Sequence, residues 1–310
     1  SCKEEEFELD SAPASSDAAF IITPSDTNSN VIHLEIINKS SIAIWDFDNG
    51  VSMQGSNVTA LYPFKGDYDI SVTIFTQGGS ASSSQNITIE NEDLRLVSDP
   101  IYGYLTGGID SLNGKTWVID STMDAHFGVG PNPIGAQGNF PQHYAAAPND
   151  KVGVGLYNDR FTFKLRGFGF DMITKGEVYL DDKEKGTFPG SFDIDGDFQA
   201  PFPDQLDENF TLIINPDGFS TLSVSGNSFI GFYTGVRTYK IISISDDELF
   251  LSYEDFNDPE LLWYVRLVPL GGASGSGGGN TSGASLPIDF ESNPPTFATF
   301  GGSTADVVDN

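Results

Sequence analysis

Trp45-Asp46-Phe47-Asp48-Asn49-Gly50, followed by Tyr62-Pro63-Phe64 and by Gly66-Asp67-Tyr68-Asp69-Ile70-Ser71-Val72, is the stretch on which the fold turns. It belongs to a series of short apolar runs, Val31–Ile37, Ile42–Phe47 and Asp69–Phe75, each rich in β-branched and aromatic residues and each of strand length. Between the runs stand Asn38-Lys39-Ser40, Asp48-Asn49-Gly50 and Lys65-Gly66-Asp67, residue types that close tight turns. The pattern predicts a small all-β sandwich over residues 18–95.

The same fragments resemble the signature of the PKD domain, an immunoglobulin-like module common in extracellular glycan-handling proteins. The family has Gly-Asp-Gly after Trp-Asp-Phe, and here the turn reads Asp48-Asn49-Gly50. The resemblance implies that Trp45 anchors a core, that Asp46 organises a turn, and that the domain serves as a spacer.

Asp99-Pro100 and Gly103 suggest a short linker over residues 96–106. Beyond it, strand-like runs recur: Thr116–Ile119, Arg160–Leu165, Gly176–Leu180, Phe210–Ile214, Phe229–Tyr233, Tyr239–Ile244, Glu248–Tyr253 and Trp263–Val268. No sustained period of 3.6 residues interrupts them. Residues 100–270 are therefore expected to form an antiparallel β-sandwich or a lipocalin-like barrel, with hairpin corners at Asn215–Gly218 and Ser245–Glu248.

Residues 271–285 are a Gly/Ser-rich run with the composition of a flexible linker. Residues 286–310 resemble the opening of a carbohydrate-binding unit of the kind found beside bacterial β-glucanases. So short a stretch cannot build that core, so it reads as the start of a truncated module.

Acidic side chains outnumber basic ones 44 to 15, for a formal charge of -29. That balance argues against nucleic acid or an anionic membrane surface as partner, since both demand Lys and Arg. With 38% hydrophobic and 12% aromatic residues the chain can still pack a core. The one cysteine, Cys2, excludes an intrachain disulfide and a thiolate zinc cluster. Followed by Lys3-Glu4-Glu5-Glu6, it resembles the lipid-carrying N-terminus of a processed bacterial lipoprotein. The Lys-then-acid run resembles the export signal of those that face outward from a Bacteroidota-type outer membrane. Residues 1–17 then read as a tether, and the lipid is the chain's expected membrane attachment.

The second domain holds the chemistry. Trp117–Asp120, His126–Pro131, Phe140–Tyr144, Pro148–Lys151 and Gly155–Asp159 follow one another in an order that resembles the β domain behind PKD modules in surface glycan-binding lipoproteins of polysaccharide-utilisation loci. Relatives tend to carry paired Trp where this chain has His143-Tyr144. Sugar binding needs flat aromatic faces for the C–H side of a pyranose and planar polar groups for its hydroxyls. Tyr144, His143, His126, Tyr157, Asn158, Trp117 and Trp263 are the candidates, with the two tryptophans also suited to a core.

No paired-carboxylate spacing of a glucanase strand, nucleophile elbow, P-loop or His-Glu-x-x-His occurs, so a non-enzyme is expected. Asp193, Asp195 and Asp197 flank Gly196 at a spacing that suits Ca²⁺ only weakly, because the late Glu of an EF-hand loop is missing. No cofactor is expected. The reading is a lipid-anchored outer-membrane protein that captures a polysaccharide, a neutral laminarin-like β-1,3-glucan first, beside a glycan importer and neighbouring glycosidases. A structural or adhesive protein and an unfamiliar glycoside hydrolase are the alternatives.

Overall fold

The computed structural model describes residues 11–272 except Asp195 and Asp217. Cys2 and the expected linker and module beyond residue 272 lie outside the described residues.

Seven strands make the first domain: β1 (Phe20–Pro24), β2 (Val31–Ile36), β3 (Ile42–Asp46), β4 (Ser52–Gln54), β5 (Asn57–Leu61), β6 (Gly66–Thr76) and β7 (Gly79–Ile89). They form two antiparallel sheets, β1-β2-β5 and β4-β3-β6-β7, which is the expected immunoglobulin-like sandwich. Alternation sets the inner face: β3 buries Ala43 and Trp45, and β6 buries Ile70, Val72 and Ile74. Trp45 is fully buried, with Phe20 edge-on at 5.1 Å and its indole N–H donating to the Gly55 carbonyl at 2.8 Å. Asp46 does organise the turn, accepting from the Asp48 amide at 2.9 Å. Asn49, where the family has Asp, is fastened at both ends of its amide. It accepts from Val51 N at 3.0 Å and donates to the Leu61 carbonyl at 2.9 Å.

The stretch expected to be a linker contains a helix, α1 (Pro100–Thr106). Asp99 caps it by accepting from Ile101 N, Pro100 fills its first position, and Gly107 ends it at a left-handed φ of 81°. Leu105 and Thr106 are buried against the second domain.

That domain comprises β8 (Lys115–Ile119), β9 (Phe127–Pro131), β10 (Tyr144–Ala145), β11 (Arg160–Lys164), β12 (Gly169–Ile173), β13 (Gly176–Leu180), β14 (Phe192–Ile194) and β15 (Asp197–Phe202). It continues with β16 (Gln205–Ile213), β17 (Thr221–Val224), β18 (Thr238–Ile244), β19 (Leu249–Glu254) and β20 (Leu261–Pro269). Strands β8, β11, β12, β16, β17, β18, β19 and β20 each pair antiparallel with the next, and β20 returns to β8. This closure decides for a barrel over a sandwich. The length of β20 lets its first half pair with β9 and its last residues with β8. The hairpin β9–β10 is inserted after β8, and a small sheet, β13-β15-β14, after β12.

Side chains fill the barrel, among them Trp117, Phe161, Phe163, Phe170, Phe210 and Tyr239. Phe229–Tyr233, expected as a strand, is an irregular buried segment instead. Phe64 of the first domain joins this core, with its ring 6.0 Å from Phe168, while Arg166 pairs with Glu92 and Thr211 bonds the Gly50 carbonyl.

Candidate functional site

Most of the candidates gather where the β9–β10 hairpin meets the loop 146–159. The hairpin demands glycine at Gly128, since a Cβ there would collide with the Tyr144 carbonyl. This close approach brings the Tyr144 ring edge-on to Phe127 at 6.4 Å, and Phe127 in turn stacks on Trp263 at 5.5 Å.

His126 is fully buried, and its proton can be assigned from its neighbours. The Met123 carbonyl, 2.6 Å from Nδ1, can only accept, so Nδ1 carries the hydrogen. Nε2 then accepts from the Tyr157 hydroxyl at 2.8 Å, and the Tyr157 oxygen accepts from the Lys151 amide at 3.0 Å. Burial holds the imidazole below its usual range, which keeps it neutral. Every polar atom of this chain is used, so His126 and the Tyr157 hydroxyl fix the loop instead of awaiting a sugar.

Lys151, itself buried, is the hub. Its ammonium donates to the Tyr179 hydroxyl at 3.2 Å and lies 5.2 Å from the Tyr144 ring centroid. Tyr179 donates onward to Asp197 at 3.0 Å. Tyr144 is half-buried and donates to the exposed Asp150 at 2.6 Å. Lys151 and Tyr179 were not among the sequence candidates; the Asn149-Asp150-Lys151 run was the signal for the first, and nothing local marked the second. His143 is exposed at the bend that precedes β10, its amide donating to the Val129 carbonyl at 2.9 Å.

Three other candidates take structural places. Asn158 donates to Glu177 at 3.1 Å and ties the loop before β11 to β13. Trp117 is 0% exposed in the barrel interior, its indole bonded to the Leu105 carbonyl, so it cannot be a platform. Trp263 is 7% exposed, packed on Phe127 and Phe232, with its N–H on Asp255 at 3.1 Å. These placements correct the expectation that Trp117, Trp263 and His126 contact a ligand.

Asp193 is exposed on β14, Asp197 begins β15 and accepts from Tyr179, and Asp195 lies outside the described residues. Among the described residues no group of three metal-ligating side chains forms.

Several clefts lie elsewhere, two of which matter here. One of about 470 Å³ runs between the two domains, bordered by Asp46, Asp48, Tyr68, Phe168 and Asn209. The other, of about 460 Å³, lies on the outer wall of β17–β20 and includes Arg237, Lys240 and Ser252. Neither leaves a mark in the sequence, because each is assembled from distant strands.

Among the described residues no helix is long and apolar enough to cross a membrane. No curated protein matches the chain. Its first domain does match a family: residues 37–89 fit the PKD domain, a module typical of extracellular proteins and suggestive of adhesion or binding.

Proposed function

We propose that the protein is a non-catalytic, surface-exposed polysaccharide-binding protein, anchored through Cys2, that holds a glycan for an uptake system. The observation that carries this reading is the Tyr144 wall. It is a half-exposed ring on β10 against a loop made rigid by His126, Tyr157 and Lys151, with Asp150 beside it to accept from sugar hydroxyls. A prepositioned aromatic face with an adjacent carboxylate suits a pyranose and loses little entropy on binding. The PKD domain fits such an extracellular setting. A laminarin-like β-1,3-glucan is the first ligand to try, on the strength of the family resemblance alone.

Native gels containing laminarin test it. Retardation without release of reducing sugar is expected, and Tyr144→Ala should weaken retention by roughly 1–3 kcal/mol, the worth of one apolar ring face. Hydrolysis by the pure protein would refute the non-catalytic reading, and no retention on any glycan would favour an adhesive role.

A glycosidase has one specific observation in its favour. Asp181 is buried, and burial together with Asp255, Asp182 and Asp197 pushes its carboxyl up to about 6, the range of a general acid. One of its oxygens is committed to capping the Lys183 amide at 2.9 Å.

A further inference from the structure

On the outer wall of the barrel, strand register sets four side chains in one row. Thr221 is the partner of Lys240, Lys240 of Ser252, and Ser252 of Tyr264. The residues alternating with them, Leu222, Ile241, Leu251 and Val265, belong to the barrel core, so the row faces outward. Directly opposed side chains in neighbouring strands have Cβ atoms about 5 Å apart, which places the Lys240 chain between two hydroxyls.

The cleft along this row contains polar groups that the protein leaves unmet. Ser252 is 0% exposed and its hydroxyl has no hydrogen-bond partner among the described residues. The Arg237 Nε at the same cleft is buried and likewise unpartnered. Buried polar groups are nearly always satisfied, so two in one cleft mark a place where a partner arrives from outside. The charge has the same character. Although the chain has 44 acids, neither Arg237 nor Lys240 forms an ion pair among the described residues. Aromatic rings hold them instead, Tyr233 at 5.5 Å from the guanidinium and Phe219 at 5.2 Å from the ammonium.

We infer that this cleft binds an acidic saccharide, with the anionic oxygens of a uronate carboxylate or a sulfate ester meeting Arg237, Lys240 and Ser252. The wall supplies N–H, ammonium and hydroxyl donors, which calls for an acceptor-rich, negative group. Glu254 at the same cleft accepts from ring hydroxyls. Phe256, 69% exposed and fixed by its amide on the Thr234 carbonyl at 3.0 Å, offers a sugar ring an apolar face two residues beyond Glu254. The site is separate from the Tyr144 wall and does not rest on the neutral-glucan reading.

Calorimetry on the full chain in 0.15 M salt, where the Debye length of about 8 Å screens the distant acids, decides the matter. Three disaccharides are compared: one ending in glucuronate, its neutral glucose counterpart, and the neutral one bearing a sulfate ester. At least one acidic ligand should bind tenfold or more tightly than the neutral one, and which of them does so identifies the source of the charge. Arg237→Gln and the exposed Lys240→Gln should each weaken that binding about tenfold. Ser252→Ala should weaken it without lowering the melting temperature, because its hydroxyl holds nothing in the free protein. Tyr144→Ala should leave it unchanged. Equal affinity for all three sugars, no binding of either acid, or unaltered affinity in Lys240→Gln would overturn the inference.

Discussion

Asp159 and Asp181 keep their carboxyls inside the second domain at a cost that depends on pH. Asp159 is 0% exposed with neither oxygen hydrogen-bonded among the described residues, and burial holds its carboxyl well above the usual range. Asp181 is pushed up to about 6, chiefly by burial. For both groups the folded state holds its proton to higher pH than the unfolded chain does. Stability therefore falls as pH rises, for Asp181 mainly between about pH 4 and pH 6. Asp181→Asn, which keeps an oxygen for the Lys183 amide, should be more stable than the parent at about pH 7.5 by up to roughly 2–3 kcal/mol, and equal to it near pH 4. His126 has the opposite sign: its pKa is lowered on folding, so its contribution is lost as pH falls below about 6.5. Urea melts of parent and Asp181→Asn at the two pH values isolate the carboxyl, and a stability difference that does not change with pH would contradict its assignment.

At the scale of elements, the parts that were legible in the sequence are chiefly those whose burial alternates. Trp45 and Phe47, or Ile70, Val72 and Ile74, state their own strand, and β18 does the same; β19 and β20, buried on both faces, are legible as apolar runs of strand length. The stretch Phe229–Tyr233 has the composition of such a run, and Phe229, Ile230, Phe232 and Tyr233 are all inside, but it pairs with no neighbouring strand beyond a single bridge from Tyr233 to Leu180. It is held by side chains, Ile230 N on the Tyr239 hydroxyl at 2.7 Å, and by the Tyr233 amide on the Tyr179 carbonyl at 3.2 Å. Neither partner is visible from the segment itself. The reverse error is β7, whose Ser80, Ser82, Ser84, Asn86 and Thr88 carry no apolar signal; β6 templates it over eleven paired positions. Ser83 and Gln85 then bond the Ala18 and Phe20 carbonyls across the sandwich. The site was half legible for the same reason. Tyr144 on β10 and Asp150 in the following loop are only six residues apart, whereas the wall row needs four strands in register. Gly231 gives a test of the irregular segment. Its φ is 74°, and a Cβ added there would lie 3.4 Å from a Val265 methyl. Gly231→Ala should therefore destabilise by about 1–2 kcal/mol, and an unchanged melting point would deny the left-handed turn. Trp117→Ala, which empties a packed barrel position, should cost on the order of 3–5 kcal/mol while leaving glycan affinity intact in the remaining folded protein. Lost affinity at full stability would return Trp117 to the surface.

For the whole molecule the question is whether the PKD domain is a detachable spacer. Its contact with the barrel has an apolar centre, Phe64, which is 7% exposed and packed near Phe168, and a polar rim made by Arg166–Glu92 and Thr211–Gly50. The backbones come close as well, since a Cβ on Gly50 would lie 2.9 Å from that of Asn209. An apolar anchor shared with the barrel core makes either domain unfold at the expense of the other, so heating should give one cooperative transition for the two. Phe64→Ala removes the anchor, with a loss of about 3–5 kcal/mol if the gap does not close, and should split the melt into two. Arg166→Gln should not, because its ion pair is partly exposed, with 47% and 31% of the two side chains accessible, and such pairs contribute at most about 1 kcal/mol. Scanning calorimetry distinguishes the outcomes. Two transitions already present in the parent would mean that the contact is too weak to couple the domains. The PKD domain would then be a free spacer after all, able to present the Tyr144 wall and the outer cleft of the barrel at varying angles to a polymer.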